Sequence, residues 1–100
     1  MGDVINFKKP QEVEIRLQNT VHFMCSNDYI ERFKAEYFQT LIRYRKLLEI
    51  VFNYGHLPFK PKSSLEILKR QLEVMCEYLN VLEDRAEIEG IDLSLNQPIE

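Results

Sequence analysis

One hundred residues, 45% apolar and 29% charged, with a formal net charge of −3, describe one small domain. No apolar run approaches the length of a membrane-spanning helix. The first ten residues lack the apolar core and cleavage site of a secretory signal, and mild acidity disfavours charge-driven binding to duplex DNA. Cys25 and Cys76 have no CxxC partner, so neither a disulfide framework nor a zinc site is expected, and a reducing cytoplasm is the expected setting.

Residues 1–27 read as an N-terminal extension. Within it Glu12–Gln18 alternates polar and apolar side chains, with Val13, Ile15 and Leu17 on one side, which predicts a short strand. Thr20–Cys25 is a second short apolar run, which either pairs back or leads into a helix. Ser26-Asn27-Asp28 then marks a helix start, with Glu31 three positions after Asp28. Ile30, Phe33, Tyr37, Leu41, Tyr44, Leu48 and Val51 follow at steps of 3, 4, 4, 3, 4 and 3, one continuous helical stripe. Asn53-Tyr54-Gly55 predicts the stop, with Gly55 as the left-handed residue.

The link His56–Lys62 holds Pro58 and Pro61 and excludes helix through its middle. A second helix is predicted to open at Ser63, which stands at capping-box spacing from Glu66. Its stripe, Leu65, Leu68, Leu72, Met75, Leu79, Leu82 and Ala86, steps 3, 4, 3, 4, 3, 4, the repeat of a helix–helix seam. Gly90 closes it, and residues 94–100 form a tail.

These elements predict an all-α fold. An antiparallel two-helix hairpin occupies residues 28–93, with helices at about 28–53 and 64–89, preceded by the extension with its candidate strand. The second helix carries another apolar row, Ile67, Val74, Tyr78, Val81 and Ile88, offset from its stripe. One partner helix cannot cover both rows. The expected remedy is assembly into a homo-oligomeric helical bundle; the alternative is that residues 1–27 fold back over the second row.

Catalysis has little support. His22 and His56 lie in unrelated segments, and Glu66, Glu73, Glu77, Glu83, Asp84 and Glu87 trace a solvated helix face. No glycine-rich phosphate loop, HExxH or GxSxG occurs, so the chain reads as a non-enzyme without cofactor or metal. Two places suit an anion. Lys60 and Lys62 run into Ser63-Ser64 at the start of the second helix, where free backbone N–H groups and the helix dipole favour negative charge, although an ordinary capped helix looks the same. On the first helix, Tyr29, Arg32, Arg43 and Arg45 lie outside the apolar stripe. A tyrosine ring stacks on bases and an arginine fork holds phosphate, while arginines paired with glutamates are the ordinary alternative.

Tyr29, Arg32, Glu36-Tyr37, Arg43-Tyr44 and Lys46-Leu47 resemble the first helix of a family of small helical phage and prophage proteins related to a crAssphage protein. Leu68, Gln71-Leu72, Met75, Tyr78-Leu79, Leu82-Glu83 and the ending Arg85–Ile91 resemble its second. The resemblance covers about residues 28–93, and its most specific part is Arg85–Ile91. More distantly, the pattern is similar to the helical hairpin of the anti-CBASS and anti-Thoeris sponges, phage proteins that sequester cyclic oligonucleotide signals of bacterial immunity. That resemblance implies a compact oligomer, a hexamer in the sponges, with the ligand held between protomers and no chemistry performed. The stacking tyrosine of the sponges matches Tyr29. Their phosphate-binding lysine falls on Tyr44, a departure that leaves Arg43 or Arg45 to supply the cation.

The resulting expectation is a phage-encoded anti-defence protein in the host bacterial cytoplasm, binding a cyclic oligonucleotide through Tyr29, Arg32, Arg43, Arg45, Lys60 and Lys62. A small helical adaptor docking a host or phage protein through the second apolar row is the rival.

Overall fold

The alternation predicted as a strand falls mostly outside residues 17–94, the part that the computed structural model describes, and where it is described it is helix. Leu17 and Gln18 open α1, Leu17–Met24. Among the described residues there is no strand, and three α-helices follow one another: α1, α2 at Tyr29–Phe52 and α3 at Leu65–Glu89. Packing decides the matter for α1. Its helical rise places Leu17, Thr20 and Phe23 on one side; Thr20 is fully buried with its hydroxyl donating to the Leu17 carbonyl at 2.6 Å, and Phe23 packs against the core. A strand would have set Leu17 and Thr20 on opposite faces.

Asp28 caps α2, its carboxylate accepting from the Ile30 backbone N–H at 3.0 Å. Glu31 does not return to the Asp28 N–H as a capping box would. That N–H donates to the Ser26 hydroxyl at 2.9 Å, and the hydroxyl donates to Glu31, so the serine relays the bond.

The other end of α2 departs from expectation too. Gly55 is not left-handed: among the described residues the only positive φ belongs to Gly90. The last carbonyls find partners without it. The backbone and side-chain N–H groups of Asn53 both reach the Glu49 carbonyl, and His56 N–H closes a 3-10 turn over Tyr54–His56 onto the Asn53 carbonyl at 2.8 Å. The start of α3 is shifted by one residue. Ser64, not Ser63, is the cap, accepting from Ile67 N–H at 3.2 Å. The Ser63 carbonyl instead takes the Tyr54 hydroxyl at 2.8 Å, which ties the connection to the end of α2.

Gly90 ends α3 at φ 72°, and Ile91 N–H returns to the Ala86 carbonyl at 2.8 Å while its side chain is buried. That is the two-bond left-handed stop with its apolar contact.

The core lies between α2 and α3, and α1 packs on α2 with Phe23 against that core. Phe33, Tyr37, Leu41 and Tyr44 meet Leu72, Leu79, Leu82 and Ala86, with Leu48, Val51 and Met75 partly buried around them. Most of both predicted stripes therefore forms the seam, but Ile30 is exposed and Leu65 and Leu68 are not among the residues packed in it. Ala35 and Phe38, outside the stripe, are buried as well. Polar contacts set the direction: Tyr29 near the start of α2 bonds Glu89 at the end of α3, and Tyr37 bonds Glu83, so the two helices run antiparallel. The described residues span 42 × 25 × 24 Å.

Candidate functional site

The start of α2 and the end of α3 make an open corner. Tyr29 is the first residue of α2 and remains half exposed. Its hydroxyl donates to Glu89 Oε1 at 2.8 Å and accepts from Arg85 Nη2 at 2.6 Å. Arg85 also pairs with Glu89 Oε2 at 3.2 Å, one turn along α3. The Arg85 guanidinium sits 5.0 Å from the centre of the Phe33 ring, and the Tyr29 ring lies 6.2 Å from the same ring, tilted by 59°. One turn-pair further along, the Tyr78 hydroxyl donates to Glu36. Tyr29 and Glu36 stand seven apart on α2, as Tyr78 and Arg85 do on α3, so antiparallel packing turns two heptad spacings into two polar rungs.

The electrostatics of the corner follow from these bonds. The Tyr29 hydroxyl bond holds the Glu89 carboxyl below its ordinary range, with the Arg85 guanidinium acting in the same sense and partial desolvation opposing. Donating to Glu89 in turn raises the Tyr29 phenol above its ordinary value, and Arg85 partly offsets this. Tyr29 is thus a protonated donor at neutral pH. Arg85, held above its usual range chiefly by Glu89, is fully charged.

The other predicted residues separate into three places. Arg32 is exposed but donates through Nη1 to the Ser26 carbonyl at 2.8 Å, bracing the turn before α2. Arg43 is exposed, fourteen residues from Tyr29 along α2, or about 21 Å at the rise of an α-helix. Arg45 is half-buried, and burial lowers its pKa while the neighbouring Tyr37 phenol opposes the shift. Lys60 and Lys62 are exposed in the connection before α3, at the far end of a helix about 36 Å long. Within the one chain, Tyr29 and these lysines lie at opposite ends of α2.

Position 44, where the sponge resemblance calls for a lysine, holds a core tyrosine. Tyr44 is 1% exposed and its hydroxyl has no hydrogen-bond partner among the described residues. It faces α3, so a cation there would be buried in the seam. Arg85 and Glu89 are the functional candidates that composition and periodicity missed. The reading of the solvated helix face named neither, and only the Arg85–Ile91 resemblance pointed to that end of α3.

The Sequestin family pattern matches residues 27–88, from the residue before the α2 cap almost to the end of α3. The chain belongs to the Sequestin family. Its match takes in all six predicted ligand residues and Arg85, and stops one residue before Glu89. The family name suggests a sequestering role, coarsely one of binding a molecule. No curated protein and no solved structure matches the chain. Among the described residues no helix is long and apolar enough to cross a membrane, and no group of three or more His, Cys, Asp or Glu side chains is placed to hold a metal ion.

Proposed function

We propose that this Sequestin-family chain is a phage-encoded anti-defence protein that binds a cyclic oligonucleotide immune signal in the host cytoplasm and holds it, as a homo-oligomer, without cleaving it. The carrying observation is the half-exposed Tyr29 ring beside the Arg85 guanidinium in a chain whose family name suggests sequestration. The ring offers a face to a base, and the guanidinium offers a fork to a phosphate. The phosphate would take the place now held by Glu89 at Arg85. Arg32 supports the corner through the turn before α2, Arg43 and Arg45 add positive charge along the helix, and Lys60 and Lys62 supply cations at the other end. Burying the signal lowers its free concentration, so the host effector is not triggered.

Titration calorimetry against a panel of cyclic di- and trinucleotides tests this. Binding of one member is expected, weakened about tenfold or more by Tyr29→Ala, the scale of a lost base–aromatic stack. Arg45→Glu should weaken it as well, and Glu89→Gln should tighten it by freeing Arg85. Unchanged affinity in both Tyr29→Ala and Arg45→Glu would remove the site. No binding across the panel would favour the adaptor reading, which draws on the exposed apolar row of α3.

A further inference from the structure

Ile67, Val74, Tyr78, Val81 and Ile88 remain exposed along α3, from 41% at Tyr78 to 82% at Ile88. The described part of the N-terminal extension does not cover them, because α1 packs on α2. Ile67, Val74, Val81 and Ile88 stand at every seventh position, the repeat of a seam between two helices. These four positions, Tyr78 aside, are also symmetric about a point between Glu77 and Tyr78. Ile67 and Ile88 lie equally far from that point, and so do Val74 and Val81. A row that reads the same from both ends suits a two-fold pairing of identical helices, in which residue i meets j and j meets i.

Charge agrees with this register. Arg70, Glu77 and Asp84 share one shoulder of the row, again at seven-residue spacing. In an antiparallel two-fold pair each shoulder faces its own copy in reverse order, so Arg70 comes within one residue, about 1.5 Å along the axis, of the level of an aspartate.

We infer that the exposed face of α3 seats α3 of a second copy of this chain, antiparallel, about a two-fold axis at Glu77–Tyr78. Ile67 packs against Ile88 of the partner subunit, Val74 against Val81 of the partner subunit, and Arg70 pairs with Asp84 of the partner subunit. Glu77 meets Glu77 of the partner subunit, the one unfavourable contact of the shoulder. The same pairing lays the connection that holds Lys60 and Lys62 of the partner subunit beside the corner of Tyr29 and Arg85. Residues that one chain keeps at opposite ends then flank a single site. This last step, and it alone, rests on the proposed binding of an anionic ligand.

Sedimentation velocity of the full chain without nucleotide is the test. A dimer or an even-numbered assembly is expected. Val74→Glu with Val81→Glu should give a monomer of unchanged helical circular dichroism. Arg70→Asp and Asp84→Arg should each weaken assembly, and the two together should restore it. Glu77→Gln should tighten it several-fold. With the free Cys25 and Cys76 replaced by serine, Ile67→Cys mixed with Ile88→Cys should oxidise to a linked pair, and Ile67→Cys alone should not. A monomeric wild type overturns the pairing, and self-linkage of Ile67→Cys overturns its direction. A dimer that binds no cyclic nucleotide leaves the interface standing and removes the proposed function. A monomeric Val74→Glu/Val81→Glu chain with undiminished nucleotide affinity removes the shared site.

Discussion

Tyr44 and Glu89 show how differently two polar groups fare on the same pair of helices. The Tyr44 hydroxyl is buried in the seam with no partner among the described residues, and burial pushes its phenol up. An unmet buried hydroxyl costs on the order of 1–3 kcal/mol. Tyr44→Phe keeps the ring and removes that cost, so urea denaturation should show the variant at least as stable as the parent and up to about 1–2 kcal/mol more stable. Glu89 lies in the open corner, where the Tyr29 hydroxyl holds its carboxyl below the ordinary range. A depressed folded-state pKa contributes stability above the unfolded value, and that stability is lost as pH falls through the folded value. The corner should therefore loosen in acid, below the usual glutamate range. Tyr29→Phe should raise the Glu89 midpoint in a carboxyl-detected NMR titration; an unmoved midpoint would show that the phenol is not the cause. Tyr29 itself was legible as an aromatic just outside the apolar stripe. Its partners were not, because a residue sixty positions away becomes a neighbour only once two helices pack.

At the scale of elements, the two predicted glycine stops separate cleanly. Gly90 sits at φ 72° with nothing within 4 Å of where a β-carbon would stand, so Gly90→Ala meets strain and no clash. It should cost about 1–2 kcal/mol, the difference of a left-handed side chain. Gly55 has the same open space without the positive φ, so Gly55→Ala should change stability by less than about 0.5 kcal/mol or raise it slightly. The serines before α3 divide in the same way. Ser64→Ala should cost about 1 kcal/mol as a lost cap, while Ser63→Ala should stay within about 0.5 kcal/mol, since among the described residues only its carbonyl is engaged. Chemical denaturation of the four variants checks both pairs. The residue types of these caps were readable from sequence, but the register was not. Adjacent serines offer the same chemistry, and the Tyr54 bond to the Ser63 carbonyl accompanies the cap at Ser64.

For the whole molecule, the apolar row left open on α3 bears on stability as well as on assembly. If a second copy covers it, folding and association are linked, and the melting temperature should rise with protein concentration. Differential scanning calorimetry over a hundredfold concentration range would show this in the parent and not in Val74→Glu/Val81→Glu. Spacing alone determined much here: Leu65 to Ala86 and Phe33 to Val51 recur with the helical period, and that period is a property of the backbone whatever surrounds it. The left-handed stop at Gly90 was equally local, since it depends on a missing β-carbon and on carbonyls a few residues back. Tertiary packing decided the rest. It made Leu17–Met24 a helix against α2, where short apolar patterns fit either period. It buried Tyr44, and it set Tyr29, Arg85 and Glu89 into one corner while sending Lys60 and Lys62 to the far end. The reason is physical: a local pattern carries the cost of its own backbone, whereas a site is a set of distances between distant residues, which exist only after the helices have chosen their partners.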